Sequence, residues 1–129
     1  SGGASPGERY AMDAAIGATP VSFDQWHTIA MSYDGGAARA YLDGRLDTRD
    51  GLNTYPHAGG LFDGGPNGAD FTVGAVRRPD TVSEDFAERG SVIGNFFQGV
   101  LGGLAVYSRA LSSEEMRTLA AVGHQNFSM

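Results

Sequence analysis

Alternating apolar and polar residues predict β-structure in the first half of the chain. The clearest run is residues 26–33, WHTIAMSY, in which every second residue from Ile29 falls on one face of an extended strand. Residues 34–36, DGG, then offer a tight turn, because glycine accepts the positive φ that such turns require. Residues 37–43, AARAYLD, return with the same alternation. The pattern predicts an antiparallel hairpin.

Further strands are predicted where apolar runs recur between glycines. A second Asp-Gly turn after the hairpin leads into a short strand. Residues 71–76, FTVGAV, and residues 96–107, FFQGVLGGLAVY, have the composition of strands, and residues 10–15 suggest another. The segments between them, residues 47–69 and 77–95, are predicted to be loops.

One helix is predicted near the C-terminus. Ser112 is placed to cap the amide of Glu115, whose carboxylate can reach back, and this pair forms a capping box. Leu111 and Met116 have the spacing of a hydrophobic staple around that cap. Gly123 is placed to end the helix in a left-handed conformation.

Composition narrows the class of protein. The chain has 20 Gly in 129 residues, which fits many short strands joined by turns. Its formal net charge of −6 leaves no basic face for nucleic acid, and there is no lysine. It has no cysteine, so thiolate metal sites and thiol nucleophiles are excluded. No stretch approaches the roughly 18 apolar residues that a membrane span needs, and we expect no membrane insertion.

Three segments in the same order carry a family resemblance. Residues 26–35, WHTIAMSYDG, and 40–44, AYLDG, resemble the Trp hairpin of LamG-like jelly-rolls of the concanavalin A type. Residues 71–74, FTVG, resemble the strand that follows it in the family. Residues 97–101, FQGVL, and 106–112, VYSRALS, resemble the closing strand and helix. Each piece alone is a weak signal, and the three in register are a stronger one.

The resemblance covers residues 21–120 and implies an all-β fold. The expected architecture is an antiparallel β-sandwich, a concanavalin A-like jelly-roll with one short C-terminal helix. In this chain Gly102-Gly103 replaces the acidic pair of the family's closing strand. Because few strands precede the Trp hairpin, we expect an N-terminally incomplete domain that pairs with missing N-terminal strands or another subunit. The predicted organisation is a flexible leader (1–9), a partial jelly-roll (10–123) and a C-terminal tail (124–129).

No catalytic residue is predicted. Glycoside hydrolases on this fold place carboxylates on alternate residues of one strand, and the acidic residues in 84–88, EDFAE, do not alternate. His27, His57 and His124 are far apart without metal-ligand spacing, so we expect their placement to be incidental. We expect the chain not to be an enzyme.

Two interpretations stay open for the glycine-rich segment of the long loop. Asp63, Asn67 and Asp70, with backbone carbonyls, offer the oxygen ligands of a calcium site. However, Gly74 stands where a calcium loop of the helix–loop–helix type has its bidentate glutamate. A solvated turn is the favoured alternative, and calcium is the one cofactor considered.

Exposed loop aromatics are the candidates for ligand contact, because sugar rings stack their C–H faces on aromatic rings. Tyr55 and His57 lie in one loop and Phe86 in the other, and ordinary loop packing is the alternative for each. Three aromatics inside the family segments are expected in the core instead: Trp26, Tyr41 and Tyr107.

The resemblance therefore implies a non-catalytic carbohydrate-binding or adhesion module, extracellular or at the cell surface, with a glycan or protein ligand. Two alternatives stay open because fold does not fix function. One is an accessory fragment of a polysaccharide-active enzyme, a glycoside hydrolase or lyase, whose catalytic residues lie outside this chain. The other is a structural or interaction module in a surface assembly.

Overall fold

The computed structural model describes residues 15–60, 73–78, 92–94 and 96–127. The chain divides into two compact units. Among the described residues, the first unit contains 15–60 and 105–127, and the second contains the remainder. The predicted strand over residues 10–15 lies almost wholly outside the described residues.

The first unit contains a four-stranded antiparallel sheet. Its strands are β1 (Ile29–Tyr33), β2 (Ala37–Leu42), β3 (Arg45–Leu46) and β4 (Tyr55–Pro56). Strand β2 pairs with β1 along one edge and with both β3 and β4 along the other. The predicted hairpin is confirmed, although β1 begins at Ile29 and not at Trp26.

Both turns of this sheet follow from local side-chain chemistry. The Asp34 carboxylate accepts hydrogen bonds from the amides of Gly36 and Ala37, each at 2.9 Å, and this closes the β1–β2 turn. In the β2–β3 turn, Asp43 and Gly44 have φ of 49° and 77°. Positive φ at both central residues is the signature of a two-residue type I′ turn, as the Asp-Gly pair predicts.

The single helix of the described residues is α1 (Ser113–Phe127). The capping box is confirmed, since the Glu115 amide donates to Ser112 Oγ at 3.2 Å and the Ser112 amide donates to Glu115 Oε2 at 2.7 Å. The expected end at Gly123 is wrong, because the helix continues for four more residues. A Cβ on Gly123 would lie 3.2 Å from Thr28 Oγ1, so this glycine allows close approach to the residue just before β1.

Helix α1 packs on one face of the sheet. A Cβ on Gly44 would lie 2.8 Å from Arg117 Cα and 2.9 Å from Ala120 Cβ, so the β2–β3 turn touches the helix backbone. The buried hydrophobic side chains of the described residues are Tyr41, Met116 and Ala120. On the other face of the sheet, Ile29 and Met31 are 67% and 72% exposed.

The second unit contains a two-stranded antiparallel sheet, β5 (Val76–Arg78) and β6 (Val92–Gly94). The predicted loop over residues 77–95 is therefore wrong at both ends, where the backbone forms this ladder. The predicted strand over residues 96–107 is also wrong, because that segment has no strand. Its apolar composition suits a strand, but Gly103 has a φ of 68°, which interrupts an extended backbone.

Candidate functional site

Two tyrosines flank an alanine on one face of the four-stranded sheet. Tyr33 of β1 lies opposite Ala38 of β2, which in turn lies opposite Tyr55 of β4. Side chains of directly opposed residues point to the same face, so the three form one row across the sheet. Neighbouring strands lie about 4.8 Å apart, which puts the two tyrosine backbones about 10 Å from each other. The row places the small side chain of Ala38 between two aromatic ones.

The segment after β4 adds His57 to this row. The Tyr33 hydroxyl donates to the His57 carbonyl at 2.9 Å and accepts from the Gly60 amide at 3.1 Å. The rings of Tyr33 and His57 lie 6.0 Å apart at 54°. The His57 amide also donates to the Gly36 carbonyl at 2.9 Å, which ties the segment to the hairpin turn. We call Tyr33, Tyr55 and His57 the aromatic cluster.

Charged groups lie beside the aromatic cluster at the β1–β2 turn. The Arg39 guanidinium donates to Asp34 at 2.6 Å. The pKa of Asp34 is lowered to about 2, first by this hydrogen bond and then by the amides of Gly36 and Ala37. Asp34 is therefore an ionised acceptor, held next to Tyr33, over the whole physiological range.

Two of the predicted ligand-contact residues, Tyr55 and His57, are brought together, and both are half-buried. Tyr33 was not among the predicted contacts, because its neighbours in the cluster are more than twenty positions away. The hairpin register is the signal that locates it, since it sets Tyr33 opposite Ala38. Phe86 lies outside the described residues, as do the predicted calcium ligands Asp63, Asn67 and Asp70.

The three aromatics expected in the core behave differently from one another. Tyr41 is only 5% exposed, as expected. Trp26 and Tyr107 are 38% and 49% exposed, which corrects the expectation. Both lie outside the strands, Trp26 ahead of β1 and Tyr107 in an irregular segment, so no ladder turns them towards the core.

A second polar cluster forms around Asp43 in the β2–β3 turn. Its carboxylate accepts the Thr28 amide at 2.9 Å and contacts His27 Nδ1 at 2.8 Å and His124 Nε2 at 3.4 Å. Burial alone would raise the pKa of Asp43, but the hydrogen bonds from His27 and Thr28 together outweigh it, and the pKa lies below its ordinary value. Two of the three histidines thus share one carboxylate, where the sequence suggested incidental placement.

Neither a metal cluster nor a membrane span is found in the part of the chain that the structure describes. No three His, Cys, Asp or Glu side chains there are grouped so that they could hold a metal ion. Helix α1 is neither long nor apolar enough to cross a bilayer.

Comparison with protein families matches residues 3–117 of the chain to the family Laminin_G_3, described as the concanavalin A-like lectin/glucanases superfamily. Comparison with curated proteins gives no match. Among solved structures, the chain is similar to an S-layer domain-containing protein (residues 221–444) from Clostridium thermocellum. The TM-score is 0.52 at 21% identity, a level that indicates a shared fold alone. The match covers 81% of this chain and 43% of that structure, so the chain spans less than half of its length.

Proposed function

Because the chain belongs to the concanavalin A-like lectin/glucanases superfamily, we propose that it is a non-catalytic carbohydrate-binding or adhesion module that works outside the cell. The observation that carries the proposal is the row of Tyr33, Ala38 and Tyr55 across the sheet. Sites for small ligands combine apolar or aromatic surface with a few fixed polar groups. The aromatic cluster with its neighbouring Asp34 has that composition.

The proposed ligand is a sugar ring stacked on the aromatic cluster. An aromatic ring offers its face to the C–H groups of a sugar, while polar groups at the rim fix the orientation of the hydroxyls. Tyr33 is held by hydrogen bonds to the segment after β4, so its ring is positioned before the ligand arrives. A fixed ring reduces the conformational entropy that binding costs.

The finer fold that goes with this function is the two-sheet jelly-roll sandwich of the family. In a sandwich the inner face of each sheet is apolar, and Ile29 and Met31 supply such a face opposite helix α1. Tyr33 follows Met31 by two positions and lies on the same face, so the cover must leave the β1–β2 turn end of this face open for the ligand. Cover of that face by further strands or by another subunit stays a prediction. The oligomeric state of the chain, measured by light scattering, tests whether another copy provides the cover.

Binding to a glycan array, followed by titration calorimetry on the best glycan, tests the function. Replacing Tyr55 with Ala should weaken binding about tenfold or more, which corresponds to about 1.4 kcal/mol. The matched control is Tyr107→Ala, because Tyr107 is an exposed tyrosine outside the cluster. Equal affinities for Tyr55→Ala and the unmodified protein would contradict the proposed site, and a silent array would contradict glycan binding.

A structural role in a surface assembly is the second candidate. The similarity to an S-layer domain-containing protein supports it, as it supports a location at the cell surface. The exposed pair Ile29 and Met31 gives such a role an apolar surface. Concentration-dependent self-association without any glycan binding would favour this candidate over the first.

Calcium remains a proposed cofactor, with Asp63, Asn67 and Asp70 as its side-chain ligands. A ligand that binds only the native state raises the melting temperature. We therefore expect a higher melting temperature in millimolar calcium than in chelator. No change over a wide calcium range would argue for the solvated turn.

A further inference from the structure

Ser22, His27 and Asp43 form a continuous chain of short polar contacts. Ser22 Oγ lies 2.9 Å from His27 Nε2, and His27 Nδ1 lies 2.8 Å from Asp43 Oδ2. The serine is in an exposed segment ahead of β1, the histidine side chain is 15% exposed, and the aspartate belongs to the β2–β3 turn. We propose that these three residues form a nucleophile–base–carboxylate triad that hydrolyses small carboxylic esters. This proposal goes beyond glycan binding and stands on different residues. With it, the chain is non-catalytic towards polysaccharides only.

The carboxylate fixes the state of the imidazole. An ionised Asp43 is an acceptor only, so His27 Nδ1 must carry the hydrogen of their 2.8 Å contact. In the neutral ring Nε2 is then left as the acceptor, and it faces the Ser22 hydroxyl. This is the arrangement in which a histidine takes a proton from a serine, and a triad is recognised by geometry and not by chain order.

Asp43 is itself held in place by two further contacts. Its Oδ1 accepts the Thr28 amide at 2.9 Å and contacts His124 Nε2 at 3.4 Å. Because these contacts involve Oδ1, the other oxygen, Oδ2, contacts His27. The carboxylate thereby orients the imidazole. Gln25 is the remaining neighbour of the serine, with its side-chain oxygen 3.2 Å from Ser22 Oγ. The hydroxyl has one hydrogen, so Gln25 and His27 compete for it.

The reaction is ordinary acyl transfer to water. Ser22 Oγ attacks the ester carbonyl and its proton passes to His27 Nε2. The bond to the alcohol then breaks, and His27 returns the proton to the departing oxygen. Water attacks the acyl-Ser22 ester, His27 takes its proton, and that proton restores the serine. One ester and one water give one acid and one alcohol.

The surroundings of Ser22 favour esters with a short acyl group. The flanking side chains of Val21 and Phe23 are exposed and apolar. They offer surface contact to a small acyl or aryl group rather than an enclosed channel for a long chain. Because acyl transfer uses no pair of carboxylates, the missing glycosidase pattern in the sequence has no bearing on it.

The test uses p-nitrophenyl acetate as substrate and a fluorophosphonate as a covalent probe, on the whole chain. We expect p-nitrophenolate release above the buffer rate and a single adduct that peptide mass spectrometry places on Ser22. Ser22→Ala should lose the adduct and about 100-fold or more of the rate, within the range of general-base catalysis. Ser108→Ala is the matched control, since Ser108 is an exposed serine away from the triad, and it should retain both.

The Asp43→Asn variant tests whether the carboxylate contributes to the hydrolysis rate, as a triad requires and a reactive histidine alone does not. Asparagine tolerates the positive φ at this position, so the turn is preserved while the charge is lost. We expect the rate to fall at least about tenfold with the melting transition still present. Hydrolysis no faster than buffer would overturn the proposal. An unchanged rate in Ser22→Ala, or an adduct elsewhere, would overturn it equally.

Discussion

Replacing Gly44 with Ala tests how tightly helix α1 is packed on the β2–β3 turn. The new Cβ would lie 2.8 Å from Arg117 Cα, 2.9 Å from Ala120 Cβ and 3.0 Å from the Met116 carbonyl oxygen. Two of these three atoms belong to the helix backbone, so no flexible side chain can move aside. Either the helix shifts or the turn distorts.

The loss of folding free energy caused by Gly44→Ala has two parts. Gly44 has a φ of 77°, and left-handed backbone costs a residue with a Cβ about 1–2 kcal/mol. Overpacking of a well-packed contact adds about 1–3 kcal/mol. Gly44→Ala should therefore lower the free energy of unfolding by about 2–5 kcal/mol.

Gly51 provides the matched control for the first part. Its φ is 69°, and a Cβ built there meets nothing within 4 Å. Gly51→Ala should cost about 1–2 kcal/mol for the backbone alone. The comparison is made by urea denaturation, where the midpoint and slope give the free energy of each variant. If the two variants lose the same stability within about 0.5 kcal/mol, the helix does not rest on the turn and the packing argument fails.

Two further predictions concern polar groups. Asn53 is 4% exposed, and its amide both accepts the Ala40 N–H at 3.1 Å and donates to the Ala40 carbonyl at 2.9 Å. Asn53→Ala removes the Asn53 oxygen from the Ala40 amide and one of two donors from the Ala40 carbonyl, which keeps the Asp47 amide at 3.1 Å. The free energy of unfolding should therefore fall by about 1–3 kcal/mol in urea denaturation, and a loss below about 0.5 kcal/mol would contradict the prediction. The pKa of Glu115 is lowered to about 2, first by the Arg109 hydrogen bond. A lowered folded-state pKa stabilises the protein above the ordinary value of 4.5, and this contribution is lost as pH falls towards 2. The melting temperature of Glu115→Gln should therefore depend less on pH between 4.5 and 2 than that of the unmodified protein, and identical pH profiles would refute this.

The parts of the fold that depend on near neighbours could be predicted from the sequence. The turn at Asp43-Gly44 and the capping box at Ser112 involve residues within three positions, and both are present. The prediction that the helix ends at Gly123 is wrong because this glycine lies against Thr28, nearly a hundred positions away. The prediction of a strand over residues 96–107 is wrong because a strand needs a hydrogen-bonded partner, which composition does not reveal.

The candidate site could also be predicted only in part, for the residues that are close in sequence. Tyr55 and His57 are two positions apart, and their loop-like flanks singled them out. Tyr33 joins them only through hairpin pairing and a hydroxyl bond to the His57 carbonyl. Asp43 likewise gathers His27 and His124 from 16 and 81 positions away. Sequence spacing carries no signal for contacts that arise when separate elements pack.

Among the described residues, strand β2 is the only partner of each other strand in the four-stranded sheet. Separating β1, β3 or β4 from the sheet therefore breaks one ladder, whereas displacing β2 breaks all three at once. The main chain of Ala40 also makes two hydrogen bonds to the side chain of Asn53, which lies outside the strands. In a hydrogen–deuterium exchange experiment, the amides of the outer strands can exchange through local opening, whereas the β2 amides exchange only when the whole sheet unfolds. Strand β2 is therefore the last strand of the sheet to exchange, whereas the aromatic cluster, whose tyrosines lie on β1 and β4, persists only while both outer strands stay paired with β2.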